Sequence, residues 1–239
     1  MIDLTKLIKT IHKILLNREA KNYWVETNDS RKRLSKYLNI DIKNIIVASN
    51  NASDYFSLKP FESLSLPPKT KFRLLYVSSY YEHKNHRIIP QVLKELKSKN
   101  YDVECIITLK DEDYKDDLVH ENIINIGPIA PRYCPFLYTQ SDVVFVPTLL
   151  ETFSAAYPEA LITEKPIVTS DLSFARDICE DAALYYKHDS PKDAAEKIIE
   201  LIENKELYQT YIKKGFERLK VFDSPNQRFT KIINKIINV

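Results

Sequence analysis

From Lys71 onward the chain alternates short apolar runs with helical patterns, and this alternation restricts the fold more than any other feature. The runs Phe72–Ser78, Val103–Leu109, Ile123–Ile126, Asp142–Pro147, Pro166–Ser170 and Ala183–Tyr186 predict six strands. Between them lie helical patterns over Asn85–Lys99 (with Pro90 as an early interruption), Pro131–Gln140, Ser154–Ile162 and Phe174–Cys179. Strands separated by helices form parallel sheets covered on both faces, because a parallel crossover needs a helix to return the chain. The expected class is therefore α/β: a Rossmann-like, parallel six-stranded sheet with helices on both faces. Three helices follow: one over Pro191–Glu203 with Ser190 as its cap and Pro191 in its first turn, then Lys205–Lys220 and Asn226–Ile237.

The first sixty residues read differently. Leu4, Leu7, Ile8, Ile11, Ile14 and Leu15 repeat with helical period and predict an amphipathic helix. A strand at Tyr23–Glu26, a helix at Asp29–Leu38 and a strand at Asn44–Ala48 follow, then a polar turn. Residues 57–71, with Pro60, Pro67 and Pro68, have the composition of a linker.

Composition removes several function classes. The only glycines are Gly127 and Gly215, so no Gly-rich dinucleotide fingerprint and no Walker A loop is present. Cys105, Cys134 and Cys179 are an odd number with no C-x-x-C spacing, which reads as reduced thiols and gives no support for a metal site. No run of 18 apolar residues occurs, and the N-terminus lacks the apolar core of a signal peptide. The expected location is cytoplasmic. The net charge of +2 is unevenly spread: residues 1–45 carry ten Lys/Arg against five Asp/Glu, and residues 213–239 seven against two. These basic ends are either solvated faces or contacts to the anionic inner face of a membrane. Nothing interleaves aromatics with the basic residues as nucleic-acid binding would require.

The most informative stretch is Val144 to Leu161: a buried strand, a Pro-marked loop and a helix start, with Ser154 as candidate N-cap and the small residues Ala155 and Ala156 behind it. Glu151 and Glu159 flank that corner with seven residues between them. A helix start at the carboxyl end of a buried strand attracts anions, and flanking carboxylates accept hydrogen bonds from hydroxyls. On spacing alone, two glutamates so placed favour the plainer reading, with Glu159 an ordinary solvated helix residue.

The neighbourhood favours the functional reading. The stretch resembles the E-x7-E motif of retaining glycosyltransferases of family 4, the group 1 glycosyltransferases of GT-B fold, and the similarity runs from about Tyr23 to the C-terminus. The loop Ser78–His86 resembles the loop in which that family grips the donor diphosphate. Lys84 and Asn85 stand in the matching positions, but Ser79 occupies the place of the family's arginine. Thr152-Phe153-Ser154 replaces the usual Gly-Phe-Gly.

The resemblance implies that residues 61–223 are a donor-binding domain. It makes 1–60 the end of an acceptor-side domain with the start of the linker, and 224–239 a helix that packs back on the N-terminal segment. It implies that Lys84 meets the diphosphate, assisted by His83 or Arg87, and that Glu151 meets the transferred sugar. Glu159 would meet the ribose; Ser154, Ala155 and Ala156 would offer backbone N–H groups to the diphosphate, and Gly127 would lie along the base. Glu151 and Lys84 would carry the catalysis.

The implied ligand is a UDP- or GDP-sugar, with no cofactor and no metal. The implied activity is retaining hexosyl transfer to a glycan or lipid-linked acceptor, in surface polysaccharide synthesis. A two-domain enzyme of this kind runs to roughly 350–400 residues, so the acceptor wall would have to come from a separate subunit or a homodimer. The alternatives are a truncated, inactive sugar-nucleotide-binding or structural remnant and, further off, a GT-B nucleotide-sugar epimerase.

Overall fold

The computed structural model describes residues 14–16 and 20–237. Residues 14–16 are helical; the rest of the expected amphipathic N-terminal helix lies outside the described residues. The chain divides into two compact units, one of residues 51–222 and one combining residues up to Asn50 with those from Asp223 onward.

The larger unit holds a six-stranded sheet of β3 (Phe72–Tyr76), β4 (Val103–Ile107), β5 (Ile123–Asn125), β6 (Val143–Val146), β7 (Ile167–Ser170) and β8 (Leu184–Tyr186), all pairs parallel, in the order β5-β4-β3-β6-β7-β8. Every residue of β4, β6 and β7 is buried, as expected of strands covered on both faces. Each strand is somewhat shorter than its apolar run, because the ladder ends where the chain turns into its loop. The alternating helices are α2 (Ile88–Ser98), α3 (Cys134–Thr139), α4 (Ala156–Ile162), α5 (Ser173–Cys179), α6 (Pro191–Glu203) and α7 (Lys205–Leu219), with α1 (Asn28–Leu38) and α8 (Pro225–Ile237) in the other unit.

The order matters more than the count. From the seam between β3 and β6 the chain winds outward in opposite directions, β3 to β4 to β5 on one side and β6 to β7 to β8 on the other. Right-handed crossovers running in opposite directions place their helices on opposite faces. Accordingly α2 packs with α6, and α4 packs with α7. Gly215 marks the α4–α7 contact: a Cβ there would lie 2.8 Å from Leu161 Cδ2, so any larger residue makes that side chain shift. In open α/β sheets ligands bind beyond the carboxyl ends of the strands at such a switch point, here the loops that follow β3 and β6.

Three local expectations need correction. Pro90 does not interrupt α2, since it is the third residue of that helix, where a backbone N–H has no intrahelical partner to lose. The segment 131–140 is a 3-10 turn at Pro131–Tyr133 followed by α3, with Pro135 in the first turn of the restarted helix. Ser154 is not the cap of the motif helix: α4 starts at Ala156 with Ala155 at the cap position and no side-chain cap bond. By contrast Ser190 caps α6 through the Asp193 N–H at 3.2 Å, with Pro191 next, as the sequence predicts.

In the smaller unit β1 (Tyr23–Val25) and β2 (Ile45–Val47) pair in parallel and α1 connects them. Thr27 caps α1 by accepting from Ser30 N–H at 3.1 Å. Ser49 and Asp223 exchange two bonds: the Ser49 N–H donates to Asp223 Oδ2 at 2.9 Å, and the Asp223 N–H to Ser49 Oγ at 2.7 Å. Lys231 adds an ion pair to Asp223 at 2.6 Å, and Arg228 of α8 pairs with Glu26 at 3.1 Å.

Candidate functional site

The loops after β3 and β6 are stitched together at the seam. The first ends in a 3-10 turn, Glu82–Lys84, which Asn85 closes in a left-handed conformation (φ 55°) that asparagine tolerates better than most residues. Asn85 Nδ2 donates to the Pro147 carbonyl at 3.3 Å. The His83 carbonyl accepts from Leu149 N–H at 2.7 Å and from Thr148 Oγ1 at 3.2 Å. Below them the Tyr76 hydroxyl donates to the Lys84 carbonyl at 3.1 Å. These bonds fix the backbone on both sides of the seam and bring two charged side chains together: Lys84 Nζ donates to Glu151 Oε1. The buried Thr148 hydroxyl lies 3.3 Å from the same oxygen. With the lysine 20% and the glutamate 12% exposed, this is a charge-assisted contact shielded from most solvent.

Glu159 engages a different partner. It sits in the first turn of α4, and its Oε2 accepts from the Tyr138 hydroxyl at 2.8 Å. Burial pushes its carboxyl up to about 7, with the Tyr138 hydrogen bond working in the opposite direction. The same burial raises the Cys134 thiol to about 12, and the nearby Glu159 charge adds to that rise. Lys84 and Glu151 thus meet at the seam, where His83 contributes its carbonyl while its ring stacks on Tyr81, and Glu159 faces α3.

The other expected residues are more scattered. Ser79 is exposed, and its carbonyl accepts from Ser78 Oγ at 3.0 Å. Gly127 (φ 73°) follows β5, two strands from the seam, in a turn that disfavours any side chain. Ser154, Ala155 and Ala156 form the turn entering α4. Arg87 is paired with Asp117 at 3.2 Å and Lys110 with Glu112 at 3.3 Å.

Four residues with a part in this edge escape sequence reading. Thr148 and Tyr138 hold the two glutamates. Asn125 clamps Leu109, its Oδ1 accepting from Leu109 N–H at 2.9 Å and its Nδ2 donating to Leu109 O at 3.0 Å. His86 lies between Tyr76 (4.8 Å between ring centroids) and Tyr80 (5.8 Å), 1% exposed, with neither ring nitrogen hydrogen-bonded. Burial first, then the Lys84 charge, lowers its pKa to about 4, so the ring is neutral. The one available signal was position: Thr148 stands three residues before Glu151, and His86 immediately follows Asn85. Among the described residues no group of three or more His, Cys, Asp or Glu is placed to hold a metal ion, and no helix is long and apolar enough to cross a membrane.

Fold and site define a class of protein: an α/β domain with a doubly wound sheet and a lysine–glutamate pair at its central seam. The family Glycosyl transferases group 1 matches residues 59–218, and the chain belongs to this family. Solved structures agree on the GT-B fold. A glycosyltransferase from Rickettsia africae superimposes with a TM-score of 0.76 at 16% identity, covering 98% of this chain and 67% of that one. Anabaena Alr3699/HepE in complex with UDP and glucose gives 0.79 at 15% identity, covering 97% and 67%. Sucrose-phosphate synthase from Thermosynechococcus elongatus gives 0.73 at 14%, covering 98% and 62%. The chain therefore spans about two thirds of the length of these structures. No curated protein matches by sequence.

Proposed function

We propose that this chain is the donor-binding half of a retaining, family 4-like glycosyltransferase that holds a UDP- or GDP-sugar at the β3–β6 seam. The observation that carries the reading is the meeting of Lys84 with Glu151 at that seam, in a family whose structural neighbour Alr3699/HepE is known with UDP and with UDP-glucose. In this reading Lys84 offsets the charge that grows on the departing nucleoside diphosphate, the main electrostatic task of glycosyl transfer. Glu151 accepts hydrogen bonds from the sugar, and Glu159, held by Tyr138, accepts from the ribose. Ser154, Ala155 and Ala156 line the diphosphate with backbone groups, and Ser79, His83 and Gly127 border the site.

No divalent cation is required in this scheme, because the lysine takes the role of the counter-ion. The acceptor is a glycan or lipid-linked sugar.

Calorimetry with UDP, GDP and their glucose conjugates, with and without EDTA, tests the assignment. Binding is expected to be indifferent to EDTA. Glu159→Ala is expected to weaken it roughly tenfold or more, the scale of a hydrogen bond to a charged group. Equal heats for wild type and variant would remove Glu159 from the site.

A further inference from the structure

Lys84 and Glu151 neutralise each other at the seam. A nucleoside diphosphate arriving alone meets a lysine already engaged. To take it, the phosphates must strip Glu151 of its partner and leave a largely buried carboxylate beside an anion. Separating one partner from a shielded ion pair is unfavourable because the remaining charge is neither solvated nor paired. A ligand that carries hydroxyl groups next to its diphosphate removes that cost. Its hydroxyls donate to Glu151 Oε1 and Oε2 as Lys84 turns to the phosphates.

We propose that the Lys84–Glu151 pair is a selectivity latch, in which Glu151 makes the site favour a nucleotide bearing a polyol over the same nucleotide without one. The proposal rests on the donor-binding reading above and assigns Glu151 a role before any chemistry begins: it suppresses occupancy by bare nucleotide, the form in which the product leaves.

The test is calorimetric titration of wild type and Glu151→Gln with UDP and UDP-glucose, and with the GDP pair, after a thermal melt establishes that the variant is folded. Gln keeps the shape of Glu but releases the ammonium. The latch predicts that Glu151→Gln binds the bare diphosphate about three- to tenfold more tightly than wild type, the scale of a shielded ion pair. It also predicts that the wild-type preference for the sugar-bearing form shrinks towards unity. Should the glutamine variant not fold, Glu151→Asp, which draws the carboxylate back by one methylene, is expected to shift both quantities in the same direction by a smaller factor. If wild type binds nucleotide but the variant binds the bare diphosphate equally or more weakly, or keeps its full preference for the sugar form, the latch is wrong and the donor site stands. If wild type binds none of the four ligands, the donor reading and the latch fall together.

Discussion

Two buried side chains near the seam have protonation equilibria displaced in opposite senses, with a consequence for stability. His86, neutral and without hydrogen bonds, has its pKa lowered from 6.5 to about 4. Below 6.5 the unfolded chain binds a proton that the folded one refuses, so stability from this group is complete above 6.5 and is lost as pH falls towards 4. Glu159 is raised from 4.5 to about 7, so its contribution is complete below 4.5 and is lost as pH rises towards 7. Each changes stability by up to about 1.4 kcal/mol per pH unit within its window, and between 4.5 and 6.5 the two nearly cancel. Relative to wild type, His86→Phe is expected to lose stability as pH rises from 4.5 to 6.5, and Glu159→Gln to gain it. Urea melts at half-unit intervals check this, and parallel curves for all three proteins would show that neither shift exists. A second test concerns ligand. Ionising Glu159 makes it a better acceptor, so wild-type affinity for a UDP-sugar should rise from pH 6 to 8 relative to Glu159→Gln.

At the scale of the element, strands were more legible than helix starts. Runs such as Val143–Val146 are apolar at every position because both faces of a parallel strand are covered, so their boundaries stand out. Helix starts depend on which backbone groups lack partners, and there the sequence misleads. Pro90 and Pro135 sit where a missing N–H costs nothing, and Ser154 has the right chemistry one residue too early. The motif glutamates were legible as residues, but their partners were not, since Tyr138 and Thr148 reach them only through tertiary packing.

The pairing of Arg73 with Glu104 was equally hidden. Adjacent in the β3–β4 register and 1% and 9% exposed as side chains, they meet at 2.5 Å, and Arg73 also donates to the Pro67 carbonyl at 3.1 Å. Glu104→Ala strands a buried guanidinium, and a loss of about 3–5 kcal/mol is expected in chemical denaturation. Gly215→Ala improves helix propensity by up to about 1 kcal/mol but crowds the buried Leu161, which typically costs 1–3 kcal/mol. A modest net fall in melting temperature is expected, and Leu161→Ala in the same chain should relieve the crowding.

For the molecule as a whole, the two ends of the chain share a unit, and Asp223, which exchanges bonds with Ser49 and pairs with Lys231 of α8, is one of the links between them, beside Arg228–Glu26. Asp223→Ala is expected to make α8 accessible to trypsin at Lys231 and Lys235, seen by mass spectrometry as early release of the C-terminal peptide; an unchanged digestion pattern would show that other contacts suffice. The larger unit carries a lesson of its own. Because both halves of the sheet begin at β3 and β6 and grow away from them, the outermost strands β5 and β8 each stand two places from the seam. A lineage remodelling β5, β8 or the turns beyond them can alter what the rim recognises while the lysine and the carboxylate at the centre keep their places.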